Sequence, residues 1–164
     1  MASGLPKKAA DFRSGIGAKI AIVQSMWHSH CVEPMVERAK RELIRCGVRE
    51  GDISVYSLPG SLELPYAAKM LLSSQPELDL VIAFGVVLQG GTTHDKTVIE
   101  TVVRGFLDVT RDTGKPVINE VIGVADIKLA EDRSRDDDNN KGLEAAFAAL
   151  ELIHFRREAC RLIE

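Results

Sequence analysis

Short apolar runs alternate along this chain with stretches in which apolar residues recur at every third and fourth position, and that alternation constrains the fold more than any other feature. AKIAIVQS, residues 18–25, is brief, β-branched and almost continuously apolar, as a strand buried on both faces should be. The period then changes. Val32, Met35, Val36, Ala39 and Leu43 share one helical face, and Gly47 stands at a C-cap position. Pro34 has no N–H to give, which predicts that it sits in the first turn and that the helix starts close to Cys31. DISVYSL reads as the second strand, and Ser61 is placed to cap a helix whose inward face is Leu64, Ala68, Leu71 and Leu72, with Pro65 in its opening turn. LDLVIAFGVVL is the third strand. Val98, Val102, Gly105, Phe106 and Val109 mark the next helix, closed by Gly114, and PVINEVIGV supplies the fourth strand. A short helix from about Asp126 leads to a long one with Leu143, Ala146, Phe147, Leu150 and Ile153 on its apolar stripe. Such an order predicts a mainly parallel sheet of four or more strands between two layers of helices, joined by right-handed crossovers.

Composition narrows the class. A chain of 164 residues is most simply one domain, here residues 18–164 behind an N-terminal arm of residues 1–17. Its three cysteines, Cys31, Cys46 and Cys160, are too far apart for a disulfide framework or a zinc ribbon, which fits a reducing, cytoplasmic location. The polar start MASGLPKKAADFRSG has no apolar core of a leader peptide, and no later run reaches the length of a membrane span. A net charge of −3 without a basic block gives nucleic acid little to bind. His28, His30 and Cys31 lack a further ligand at usable spacing, so no metal is expected there.

Ligands of parallel α/β sheets bind beyond the carboxyl ends of the strands. The segments to read are therefore SMWHSH, LPGSLELP, LQGGTTHDK, and the stretch from GVADIK into EDRSRDDDNNKG. In GGTTHDKTV, glycines let backbone N–H groups approach a ligand, and Thr92 or Thr93 can cap a helix whose N-terminus attracts an anion such as phosphate. The same four residues, GGTT, are also an ordinary way to turn a strand into a helix. They form neither a dinucleotide fingerprint nor a Walker loop.

PGSLELP, GVVLQGGTTH, EDRS and NNKGLEAAFAALELI occur in the order and at nearly the spacing found in lumazine synthases, and the chain resembles that family from Lys19 to Ile153. The resemblance implies a flavodoxin-like, single-domain three-layer α/β/α sandwich with a mainly parallel four-stranded sheet. It implies condensation of 5-amino-6-(D-ribitylamino)uracil with 3,4-dihydroxy-2-butanone 4-phosphate to 6,7-dimethyl-8-ribityllumazine, a step of riboflavin biosynthesis that needs no cofactor. It also implies a homopentamer, with each pocket built from Trp27, Ser61 and His94 of one chain and Arg133 and Lys141 of the next.

The residues aligned with the family's site have chemistry that suits these roles. An imidazole at His94 can move protons during imine formation, phosphate elimination and ring closure. Arg133, which takes the place of the arginine in E-R-A-G, offers a planar fork to phosphate, and Gly91 and Thr92 complete that phosphate site. Trp27 occupies the position of an aromatic residue on which the heterocycle stacks, with His28 beside it. As the chain's sole tryptophan it is also a candidate for the core. Ser61 and Glu63, with Leu62 between them, match the contacts to the ribityl-bearing substrate, and Val87, Leu88 and Gln89 line the same pocket. Glu63 in a helix's first turn equally serves the helix dipole. Lys141 matches the lysine of N-K-G and is placed to donate to a uracil carbonyl or to balance phosphate charge.

Several positions depart from the family's pattern. Gln89 stands where an arginine is usual, and Asp95 directly follows His94, with Lys96 next. Asn119 replaces an aromatic residue that would face the neighbouring subunit's pocket. Asp136, Asp137 and Asp138 put acid close in sequence to Arg133, where it would weaken anion binding if it faced the site. These departures keep two further readings open: a divergent member that holds riboflavin or a related heterocycle without efficient synthesis, and an assembly protein whose use is its shell.

Overall fold

The structure, a computed structural model, describes residues 12–161. β1 (Ile20–Ser25) and β3 (Leu80–Leu88) form the middle of a four-stranded sheet of order β2-β1-β3-β4, flanked by β2 (Ile53–Leu58) and β4 (Val117–Val124). Every pairing is parallel, with Ile20 opposite both Ile53 and Leu80 and Val81 opposite Val117. The two central strands are covered on both faces, which is why their sequences run apolar without alternation.

Residue parity divides the core in two. Ile20 and Ile22 of β1, Leu80, Ile82 and Phe84 of β3, and Ile118 of β4 point to one face, against α1 (Ser29–Arg45), α4 (Ile127–Ser134) and α5 (Lys141–Arg161). Ala21, Val23, Val81 and Ala83 point to the other, against α2 (Leu64–Ser74) and α3 (His94–Thr113). A flavodoxin-like three-layer α/β/α sandwich results. The start of α5 lies so close to α1 that a Cβ on Gly142 would sit 1.9 Å from the carbonyl oxygen of Met35; only glycine fits. That contact fixes the position of Lys141, the residue before it.

Three local expectations need correction. α1 begins at Ser29, not near Cys31, because the His28 carbonyl accepts from both Cys31 N (2.9 Å) and Val32 N (3.1 Å). Pro34 therefore lies inside the helix, beyond the first turn, on an exposed side where water can serve the carbonyl that its missing N–H leaves free. Ser61 does not cap α2 with its side chain: it opens a 3₁₀ turn, Ser61–Glu63, and Glu63 takes the N-cap position. Its buried hydroxyl instead packs over Gly85 of β3, where a Cβ would lie 2.7 Å from it. Of the N-terminal arm, residues 1–11 lie outside the described residues; beyond them Phe12 packs edge-on against Phe147 at 5.3 Å, and Gly15 N donates to the Cys46 carbonyl at 2.8 Å.

Candidate active site

The loop after β1 carries its apolar side chains outward. Met26 N still continues the ladder, donating to the Leu58 carbonyl at 2.9 Å, yet the Met26 and Trp27 side chains beyond it are 57% and 70% exposed. Trp27 is thus not a core residue. Its indole stands against the loop after β2, with Cδ1 3.6 Å from where a Cβ on Gly60 would be. His28 has φ 56° and ψ 41°, a left-handed conformation that is uncommon for a residue other than glycine and costs on the order of 1–3 kcal/mol. Strain of this size held at a strand end turns the chain sharply from β1 into α1. An open depression of about 600 Å³ lies here, lined by Met26, Trp27, His28, Ser29, His30 and Pro59. Leu62 and Glu63 are exposed beside it in sequence, on the β2 loop, whereas Ser61 is buried beneath.

At the end of β3 the side chains pass from half-buried Val87 to exposed Leu88 and Gln89. Gln89 N donates to the Val124 carbonyl at 2.8 Å and so extends the β3–β4 ladder by one bond. Gly90 and Gly91 follow, and the protomer's own fold requires glycine at neither. Neither has a positive φ, and a Cβ on either would meet nothing within 4 Å. What they provide is bare backbone turned outward, running straight into the N-terminus of α3. Thr93 is the N-cap residue but makes no side-chain cap bond; Thr92 Oγ1 instead accepts from His94 N at 3.4 Å, at the long end of the range. His94 is exposed as the first residue of the helix. Between this loop and the end of β4 lies a second cavity of about 330 Å³, with Gln89, Asp95, Lys96 and Glu100 among its lining residues.

β4, α4 and α5 carry a different kind of surface. Asn119 is exposed on the edge strand, its Oδ1 accepting from Val121 N at 3.0 Å. Arg133 is exposed in the last turn of α4. Lys141, the first residue of α5, holds its ammonium 2.6 Å from Glu144 Oε2 and 3.6 Å from Glu120 Oε2. Glu120 is buried in β4. Burial pushes its carboxyl up from 4.5 to about 7, Lys141 acting in the opposite direction and Glu144 adding to the rise.

Two residues of this region escaped the sequence reading. Glu120 is one. The other is Asn140, 2% exposed, whose Nδ2 donates to the carbonyls of Ser134 (2.9 Å) and Arg135 (2.8 Å) while its Oδ1 accepts from Gly142 N at 2.8 Å. It joins the end of α4 to the start of α5 and so fixes the backbones that bear Arg133 and Lys141. An asparagine directly ahead of an apolar-periodic run is an N-cap signal, and it stood in the sequence. The acidic run, by contrast, is not a loose charge beside Arg133. Asp136 is taken up by α1, bonded to Arg38 Nη1 at 2.5 Å and also to Arg41, and these arginines hold its carboxyl below the usual range. Asp137 Oδ1 accepts from Asn139 N at 2.8 Å.

Sheet order keeps the outer members of these groups apart. The loop bearing Ser61 and Glu63 follows β2, and Arg133 and Lys141 follow β4, at opposite edges of the sheet. The loop after β2 crosses to β3, where Ser61 lies over Gly85 on the face covered by α2 and α3, whereas Lys141 reaches Glu120 on the face covered by α1 and α5. Trp27 and His94 follow the two central strands. Among the described residues no group of three or more His, Cys, Asp or Glu is arranged to hold a metal, and no helix is long and apolar enough to cross a membrane.

The sequence profile of the 6,7-dimethyl-8-ribityllumazine synthase family matches residues 17–157. A 6,7-dimethyl-8-ribityllumazine synthase of Xylella fastidiosa (strain 9a5c) is 37% identical over 137 residues, which is 84% of this chain and 88% of that protein. Those of Stenotrophomonas maltophilia (strain K279a) and Xanthomonas oryzae pv. oryzae (strain PXO99A) are 34% and 36% identical, over 88% and 84% of this chain and 92% and 88% of their own lengths. On this extent of similarity and the parallel α/β/α fold, the chain belongs to the 6,7-dimethyl-8-ribityllumazine synthase family.

Proposed function

We propose that this protein is an enzyme that condenses 5-amino-6-(D-ribitylamino)uracil with 3,4-dihydroxy-2-butanone 4-phosphate, forming 6,7-dimethyl-8-ribityllumazine and releasing phosphate. The observation that carries the reading is the strand-end surface of β1 and β3: an exposed tryptophan, and a glycine loop with no steric role in the fold that opens onto a helix N-terminus and an exposed histidine. An aromatic face suits the uracil ring. The first-turn N–H groups of α3 and Thr92 suit the phosphate, with Arg133 as its charged clamp. His94 stands at the same helix start, where it can relay protons as the amine attacks the ketone, the phosphate leaves and the ring closes.

The site belongs to an assembly, most simply a homopentamer, in which Trp27, Ser61, Glu63 and His94 of one protomer meet Asn119, Arg133 and Lys141 of the next. Support comes from the two faces of the sheet, which put Ser61 on the side of α2 and α3 and Lys141 on the side of α5 within one protomer. It comes also from large apolar side chains left on the outer faces of two neighbouring helices, Tyr66 and Met70 on α2 and Leu107 on α3, 69%, 50% and 62% exposed. Residues 18–164 act as a single catalytic domain in the cytoplasm. The test is to incubate purified protein with both substrates and follow lumazine fluorescence together with phosphate. Equal amounts of the two products are expected; folded protein that yields neither overturns the assignment.

A further inference from the structure

Glu120 is the only ionisable residue of β4, and it is turned inward. Glu42, the other buried acid among the described residues, is answered by Arg45 Nε at 2.7 Å. Glu120 has a looser partner, Lys141, at 3.6 Å, and Lys141 is at the same time in closer contact with Glu144 at 2.6 Å. One ammonium therefore serves two carboxylates. We propose that Glu120 positions Lys141 for the substrate, and that the charge on Glu120 sets how freely Lys141 can bind a substrate oxygen. This rests on the reading of Lys141 as a substrate-binding residue.

The surroundings of Glu120 leave the task to these three groups. α5 supplies Lys141 and Glu144, and β3 puts buried Phe84 opposite it in register. α3 packs on the opposite face of β4, at Val117 and Val121, and α4 buries Ala130 and Ser134 while its charged residues Lys128, Glu131, Asp132 and Arg133 are exposed. With Glu120 ionised, the cluster of two carboxylates and one ammonium carries one net negative charge, and a substrate phosphate or uracil oxygen competes for the lysine against both. With Glu120 protonated, the cluster is neutral and Lys141 answers Glu144 alone. Burial brings the exchange between these states to about pH 7. Lys141 is only 21% exposed and follows a cap that fixes its backbone, so the ammonium, rather than the whole residue, is what Glu120 can steer.

The experiment measures KM for each substrate from pH 6 to pH 8.5 in wild type, Glu120→Gln, Glu120→Asp and Lys141→Met. Dividing wild-type KM by that of Glu120→Gln at each pH removes the titration of the substrates themselves. For whichever substrate Lys141 contacts, the ratio is expected to rise through neutrality, by roughly tenfold if the bound substrate raises the Glu120 pKa by one unit. Glu120→Asp keeps the charge but withdraws it by one carbon from the ammonium, so its KM relative to Glu120→Gln should rise with pH less steeply than that of wild type. Lys141→Met should raise KM and abolish the rise. A ratio that is flat with pH, in an enzyme whose KM does respond to Lys141→Met, overturns the role of Glu120 and leaves Lys141 as a ligand. If Lys141→Met changes KM for neither substrate, the assignment of Lys141 fails and that of Glu120 with it.

Discussion

The two halves of the candidate site are built on opposite plans. Around β1 and β3 the side chains are exposed and the backbone is bare: Trp27 stands out of the fold, a Cβ on Gly90 or Gly91 would meet nothing, and His94 opens a helix. Around β4 the charges other than Arg133 are largely committed, with Lys141 held by Glu120 and Glu144, Asp136 tied to α1, and Asn140 bonded on both sides. A ligand meeting the first half gains contacts that the protomer does not make for itself. One meeting Lys141 in the second half must exchange partners with existing ion pairs. Substitutions in the first half should therefore act through lost contact or lost proton transfer, and those in the second through charge.

The largest effect is expected where the phosphate charge is held. Hydrogen bonds to charged groups contribute about 1.5–3 kcal/mol each, so Arg133→Ala should raise KM for the butanone phosphate by ~10-fold to ~150-fold per bond lost. Turnover should fall less. His94→Ala should show the reverse, a kcat reduced by about a hundredfold or less, near the lower end of general acid–base catalysis, with KM little changed. Steady-state kinetics with both substrates separates the two, and equal effects on both parameters in both variants would erase the distinction between the halves.

Trp27 comes next. Aromatic stacking contributes ~0.5–1.5 kcal/mol beyond buried area, so Trp27→Ala should weaken binding of a product analogue or riboflavin by at least the corresponding two- to twelvefold, measured by calorimetry. Unchanged affinity would remove the stacking role. Asn119→Phe should act oppositely and more weakly, tightening the same ligands by adding a second aromatic wall from the neighbouring protomer; quenching of Trp27 fluorescence reads it.

A stability effect of the β4 half has a definite sign. The Glu120 carboxyl is raised from 4.5 to about 7 in the folded protein, so the fold binds this proton more tightly than the unfolded chain does. The resulting stabilisation is present in full below about pH 4.5 and is lost as the pH rises to about 7, on the order of 3 kcal/mol over the window. Glu120→Gln, which is neutral at every pH, should melt roughly 6–12 °C above wild type at pH 8, at ~2–4 °C per kcal/mol, with a much smaller difference at pH 5. A constant difference across that range would show that Glu120 does not titrate within it.

Most of the fold could be read from the sequence because apolar periodicity records burial directly. β1 and β3 are covered on both faces and run apolar throughout, while the helices show one stripe each. What failed depended on local bonds that periodicity does not encode. α1 started early because the His28 carbonyl accepts twice, and Ser61 turned its hydroxyl toward Gly85 instead of the helix. Charge placement failed for a different reason. Asp136 meets Arg38, 98 positions away in sequence, and no local pattern announces that pairing. Glu120 was nearer to legible. In PVINEVIGV it shares parity with Ile118 and Ile122, so the period of a strand already puts it on the buried face. Its partner is the first residue of a helix two elements later, and only the packed structure joins them. The β1 and β3 loops were singled out by the rule that ligands bind at strand ends and by the family resemblance, because GGTT alone is an ordinary turn into a helix and a sole tryptophan could equally have been core.

The central claim is that the two halves complete each other across a subunit boundary, and mixed assemblies test it most directly. His94→Ala spoils only the first half and Arg133→Ala only the second. In a ring of heterologous contacts, co-assembled protomers of the two kinds restore one intact site wherever an Arg133→Ala protomer offers its first half to the second half of a His94→Ala neighbour. Co-expressed in equal amounts and mixing at random, they should regain roughly a quarter of wild-type activity, well above the sum of the parents. If the hybrids form, as shown by mass spectrometry of the intact assembly, yet are no more active than that sum, each site lies within one chain and the account is contradicted.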